Sequence, residues 1–265
     1  MKCINWIAAT AGLVALAGSC DALAVGASAS VRLIDRDTGA ALATHYFQGE
    51  YWVAGKPGAR YAIEIRNYLG GRLLAVVSVD GVNVLSGAGA AWDQAGYVFE
   101  PGERYQITGW RKSHMEVAAF TFTDRANSYA ARTGRPDNVG VIGVALFRER
   151  APVPSGPPKI APRESAAQAD EARTAPSGAP STAAAKAPAP APALGTGHGE
   201  REASYVADTE FDRLQSQPNE LIRIRYDSLE NLVALGVIRR PHPALPVLNP
   251  FPASPERAFV PDPPG

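Results

Sequence analysis

Apolar positions recur with a period of two over several short stretches of the chain. In Arg60-Tyr-Ala-Ile-Glu-Ile-Arg66, Tyr61, Ile63 and Ile65 fall on one side and Arg60, Glu64 and Arg66 on the other. Successive side chains of a pleated strand point to opposite faces, so the pattern predicts a half-solvated strand. Glu103–Thr108 repeats it with Tyr105 and Ile107, and Leu221–Tyr226 sets Ile222, Ile224 and Tyr226 against Arg223 and Arg225. Two other runs, Leu73–Val79 and Val139–Phe147, are apolar on both faces and rich in β-branched residues. They predict central strands covered on both sides. Val117–Thr123, with Phe120 and Phe122, predicts a further strand. Turn residues separate these runs at Asp37-Thr-Gly39, Lys56-Pro-Gly58, Gly70-Gly71, Asp80-Gly81 and Pro101-Gly102. Many short strands without helical patterns between them predict a mainly β fold over 28–150, an antiparallel β-sandwich or flattened barrel.

The pattern stops after 150. Residues 151–194 hold 15 alanines and 10 of the 23 prolines, with no aromatic residue. Such a segment cannot bury enough apolar surface to offset its ordering entropy, so a disordered Ala/Pro-rich linker is expected over 151–199. Order is expected to return over 200–240. After the alternating strand, Asp227 and Glu230 have capping-box spacing. Leu229, Leu232 and Val233 form one helical face, and Gly236 is placed as a C-cap. A strand and one short helix are too small to be stable alone without cysteines. This strand-helix segment is therefore expected to dock on the 28–150 body, most simply at an open sheet edge. Nine further prolines in 241–265 predict a disordered tail.

The first 24 residues read as a signal peptide. Lys2 supplies a positive start, Ile4 to Leu16 carries no charge, and Ala22-Leu23-Ala24 offers small residues at a cleavage site. The apolar run is shorter than the roughly 20 residues a spanning helix needs, so no transmembrane helix is expected in the mature chain. Leu16-Ala17-Gly18-Ser19-Cys20 has the look of a lipobox with one extra residue, which makes Cys20 the lipidation site in an alternative reading. Cys3 and Cys20 are the only cysteines, so a chain cut after Ala24 has no disulfide, thiolate zinc site or cysteine nucleophile. The 26 basic and 26 acidic residues cancel, and no basic excess points to nucleic acid as a partner.

Ser78–Val84, Gly109–Ser113, Ser128–Pro136 and Val139–Phe147 resemble stretches of an uncharacterised family of exported proteobacterial proteins. Leu194–Glu202 and Arg223–Val237 resemble that family's C-terminal portion. The resemblance implies export to the periplasm or outer membrane of a Gram-negative bacterium and the same two-part layout. It implies no activity or cofactor.

Candidate chemistry is sparse. His198-Gly-Glu200-Arg-Glu202 places an imidazole beside carboxylates, a weak metal candidate, because flanking glycines leave the ligands without orientation. Ser113-His114 is adjacent without a nucleophile elbow. Asp80, Asp93, Glu100 and Glu103 are the carboxylates a glycosidase-like pair would draw on, although Asp80-Gly81 reads first as a hairpin turn. Trp92, Tyr97, Trp110 and Arg111 lie near the long 80–102 loop, and aromatic residues with arginine are enriched at interaction surfaces. The plain alternative for the two tryptophans is that they plug the ends of the core. These readings point to a non-catalytic envelope module binding or supporting an unknown envelope protein or polymer, without a cofactor. The rival expectations are a small periplasmic hydrolase or metal-dependent enzyme, sited near loop 80–102 or His198, and a subunit of an envelope-spanning or secretion assembly.

Overall fold

A computed structural model describes residues 24–151 and 193–239. The expected signal segment with Cys20, most of the expected linker and the proline-rich residues after 239 lie outside the described residues. The fold is mainly β, two multi-strand sheets packed as a sandwich without closing into a barrel.

The first sheet is built on β1 (Ala29–Asp35), β4 (Arg60–Asn67), β10 (Glu116–Asp124) and β12 (Leu194–Ala203), in the order β1-β4-β10-β12. The short β8 (Arg104–Ile107) adds to β4, and β9 (Gly109–Arg111) adds to β10. The second sheet runs β2 (Thr44–Phe47), β3 (Glu50–Gly55), β13 (Glu220–Ser228), β11 (Val141–Arg148), β5 (Leu73–Val79) and β6 (Val82–Asn83). Beyond β5, β7 (Tyr97–Phe99) occupies the other half of the same edge. Tyr61, Ile63 and Ile65 of β4 and Phe120 and Phe122 of β10 face Val77, Ile142, Val144 and Ile224 across the core, all buried. The Tyr61 and Phe122 rings stack at 4.3 Å, and Phe122 approaches Tyr226 of the opposite sheet at 5.4 Å.

The doubly apolar runs have a local cause. On the outer face of β5 and β11, Leu74, Val76, Ala145 and Phe147 form a second buried cluster, with Val98 and Phe211 packed against it. Phe211 belongs to the segment that leaves β12 and crosses to β13. Arg213 of this segment sits 4.3 Å from the Phe147 ring centre and donates to the carbonyl oxygens of Trp92 (2.5 Å) and Gln94 (2.6 Å). One strap thus covers the sheet and holds the loop beside it.

The C-terminal portion departs from expectation in three ways. Residues 194–199, expected in the linker, begin β12, which pairs along β10 from Asp124↔Leu194 to Glu116↔Ala203. The predicted strand is β13, yet it does not sit at an open edge. It lies between β3 and β11, parallel to the first and antiparallel to the second. The helix α2 (Leu229–Ala234) is capped by Ser228, whose side chain accepts from the Asn231 N–H, rather than by Asp227. Leu229 of the expected buried face is 53% exposed, whereas Leu232 is fully buried. Gly236, at φ +75°, ends the helix as its C-cap position requires. The strands β1–β3 and the one-turn helix α1 (Tyr129–Arg132) were not evident from the apolar pattern.

Candidate functional site

Asp80 and Gly81 form the two-residue turn between β5 and β6, both with positive φ (+54° and +75°). That geometry suits an Asp-Gly hairpin. The Asp80 side chain also has a role the sequence did not reveal. It is 1% exposed and accepts from the N–H of Gly140 (2.9 Å), the N–H of Thr196 (2.8 Å) and the Tyr226 hydroxyl (2.5 Å). The Thr196 hydroxyl lies 2.7 Å from that of Tyr226 and 2.6 Å from that of Tyr61. One carboxylate so joins the β5–β6 turn, β12 and β13, and reaches β4 through Thr196. Burial, the largest influence, raises the pKa of Asp80 against the pull of these hydrogen bonds. Burial likewise drives the pKa of Tyr61 and Tyr226 well above the tyrosine range, and the nearby Asp80 charge adds to it. The network is sealed in the core and holds strands together.

One groove, of about 520 Å³, is lined by β7 together with Glu103 and Tyr105 at the start of β8, and by Asp208. One wall is Ala95–Phe99, the approach to β7 and β7 itself; the other is Tyr205–Thr209, the start of the strap. Arg111 is among its lining residues. It donates to the Ser204 carbonyl (2.6 Å), the Ser204 hydroxyl (3.1 Å) and the Tyr97 hydroxyl (3.3 Å). Its guanidinium carbon stands 5.9 Å from the Tyr97 ring centre. Burial pushes the Tyr97 hydroxyl's pKa up, opposed by the Arg111 charge. At the rim, His114 Nε2 is 3.3 Å from an Asp208 carboxylate oxygen, with both side chains exposed.

The structure therefore divides the predicted site residues. Tyr97 and Arg111 meet in the groove. Trp110 is 2% exposed, donates from Nε1 to the Gly197 carbonyl (3.0 Å) and packs edge-on against Phe120. It is a core residue, correcting its assignment to a binding surface. Trp92 is 45% exposed but lies outside the groove lining, its carbonyl held by Arg213.

His198, Glu200 and Glu202 are strand residues of β12, not parts of a floppy entry. A bulge in β12 sets the three steps from His198 to Arg201 against two on β10, breaking the alternation that would align these side chains. His198 stacks on Tyr129 at 5.9 Å, and burial followed by the charges of Lys112, Arg201 and Arg132 lowers its pKa. Glu202 is engaged by Arg36 (2.6 Å) and Arg60 (3.4 Å). No group of three potential metal ligands occurs among the described residues. Nor do the carboxylates of 80–103 converge. Asp80 is in the core, Glu103 accepts from the Glu100 N–H in the β7–β8 turn, and Glu100 faces Arg72 at 3.7 Å. Ser113 Oγ accepts from the Met115 N–H (3.2 Å) rather than engaging His114.

Sequence reading missed the second wall of the groove, since Tyr205–Thr209 has neither apolar period nor motif. Comparison with models of known families, with curated proteins and with solved structures found no match to this chain.

Proposed function

We propose that the protein is a non-catalytic binding module of the bacterial cell envelope, exported by its leader, with the β7–strap groove as its binding site. The observation that carries this reading is the groove itself, a recess at one end of a rigid two-sheet scaffold where Tyr97, Tyr105, Tyr205 and Arg111 converge. Rigid scaffolds that present loops and aromatic side chains in a recess are suited to recognition. Arg111 hydrogen-bonds Tyr97 and the adjoining Ser204, which favours a preformed surface over a reacting centre. The leader (Lys2, the uncharged run Ile4 to Leu16, Ala22-Leu23-Ala24) and the resemblance to exported proteobacterial proteins support the compartment.

Site-specific photo-crosslinking in cells tests the reading. A crosslinking amino acid at His114 or Tyr205, both exposed on the groove, is expected to capture an envelope component. The same group at Lys56, exposed in the β3–β4 turn outside the groove, is expected not to. Equal capture at all three positions, or none at the groove, would remove the proposal.

A further inference from the structure

The first described residues are held more firmly than a chain end requires. Ala24 is exposed, but Val25 is 3% exposed and belongs to the main core. Val25 and Val31 exchange both main-chain hydrogen bonds, from the Val25 N–H to the Val31 carbonyl (3.1 Å) and the reverse (2.8 Å). The turn between them passes through Gly26 at φ +115°. A Cβ there would stand 2.2 Å from the Ala29 carbonyl oxygen and 2.6 Å from Ile222 Cδ1. Glycine alone tolerates that backbone and that crowding.

The Glu220 carboxylate fastens the turn. One oxygen accepts from the Ala27 N–H (2.7 Å) and the other from the Ser28 N–H (2.8 Å). Glu220 opens β13 in the second sheet, whereas Ala29 opens β1 in the first, so this clasp spans the sandwich.

The contacts begin at the residue after Ala22-Leu23-Ala24, the small residues that end the leader. A peptidase needs the chain around its target bond free of other pairing, and cleavage then follows the population of the opened form. In the folded body the N–H groups of Val25, Ala27 and Ser28 are already taken. The clasp also forms late, because Glu220 lies 193 positions beyond Ala27. A chain that emerges N-terminus first presents the bond well before the carboxylate that secures it.

Resting on the reading of the first 24 residues as an export leader, we infer that Ala24–Val25 is a processing bond cut on the unfolded chain, which docking of β13 through Glu220 then withdraws from proteolysis. Water adds across the amide, leaving a carboxylate on Ala24 and an ammonium on Val25. The ammonium keeps an N–H for the Val31 carbonyl, so the described body loses no hydrogen bond.

The test exposes the full chain, leader intact and folded in non-ionic detergent, to a bacterial signal peptidase. A synthetic peptide spanning residues 16–32 is treated in parallel. The peptide is expected to be cut at Ala24–Val25. The folded chain should be cut there about a hundredfold more slowly, because only its opened form is a substrate. Glu220→Ala and Gly26→Val, which release the clasp and the turn, should each raise the folded chain's rate about tenfold. In the wild-type folded chain the Ala27 and Ser28 amides should be protected from hydrogen exchange along with that of Val31, a measurement that needs no variant to fold. Equal rates for folded chain and peptide, or unprotected Ala27 and Ser28 amides, would overturn the withdrawal of the bond and leave the leader reading standing. A peptide cut elsewhere, or not at all, would overturn both.

Discussion

Tyr226 and Tyr61 have similar burial and hydrogen-bonding neighbours, yet their hydroxyls should not be worth the same. The Tyr226 hydroxyl donates directly to the buried Asp80 carboxylate, whereas the Tyr61 hydroxyl reaches only the Thr196 hydroxyl. Hydrogen bonds to charged groups contribute about 1.5–3 kcal/mol and neutral ones about 0.5–1.5 kcal/mol. Tyr226→Phe is therefore expected to destabilise more than Tyr61→Phe in urea unfolding at neutral pH. The sign with pH follows from the carboxylate. Because burial raises Asp80's folded-state pKa, the native state holds that proton more firmly than the unfolded chain does. The associated stability is present below the ordinary carboxylate pKa and is lost as pH rises through the raised value. The cost of Tyr226→Phe should follow the charged form, complete above the folded pKa and shrinking as pH falls through it. A cost that is flat with pH, or equal for the two tyrosines, would contradict this account. The two tryptophans make a second contrast. Trp110→Ala removes a buried ring and orphans the Gly197 carbonyl, for an expected loss of about 3–5 kcal/mol. Trp92→Ala, at a half-exposed site, should stay within about 0.5 kcal/mol. Matching unfolding midpoints for the two variants would refute the separation. Sequence alone could not divide these tryptophans, since both stand among glycines and polar residues near turns and burial is set by chain segments far from either.

At the scale of elements, the period-two stretches 60–66 and 221–226 correspond to β4 and β13, although Ala62 and Glu64 on the expected solvent side of β4 are buried, and the doubly apolar stretches correspond to β5 and β11. These were legible because a sheet face records its environment residue by residue. The strand β12 was not legible. Its Gly195, Gly197 and Gly199 mimic a flexible linker, but a Cβ at Gly195 would lie 2.6 Å from Ser128 Cβ, and one at Gly199 2.9 Å from the Ala119 carbonyl oxygen. The glycines serve close approach, which no local pattern announces. The interior place of β13 was equally hidden, and it has a consequence. Ile222, Ile224 and Tyr226 are all buried between β3 and β11. At about 1.5–3 kcal/mol for each large apolar side chain buried, their sum rivals the whole stability of an ordinary domain, about 5–15 kcal/mol. Residues 24–151 by themselves are therefore expected not to fold cooperatively, and co-expression with 193–239 should restore the transition. A dispersed amide spectrum from 24–151 alone would show that the C-terminal strands are accessory rather than integral.

For the whole molecule, the folding unit differs from the one composition suggested. The break in composition at 151 divides the chain by sequence, whereas the described residues on either side of it share both sheets, one hydrophobic core and one buried carboxylate. The groove belongs to this shared body: one wall precedes the Ala/Pro-rich stretch and the other follows it. Half of the candidate site was thus readable in advance, with Tyr97 and Arg111 singled out by residue type and proximity to a loop. The other half, Tyr205–Thr209, could not be, because an irregular segment gains its meaning from what it faces. By itself the sequence determined the mainly β class, most of the inner-face residues and the turn at Asp80-Gly81. These are properties of short windows, fixed by the pleat's period of two and the conformational freedom of glycine. Only the tertiary structure decided the strand order, the insertion of β13, the burial of Trp110, the Asp80 network and the pairing of the groove's walls. Each of these joins residues far apart along the chain, as Asp80 and Tyr226 are joined across 146 positions. Partners so distant leave no periodicity in any local window, and their contacts are set by how whole strands share the available edges.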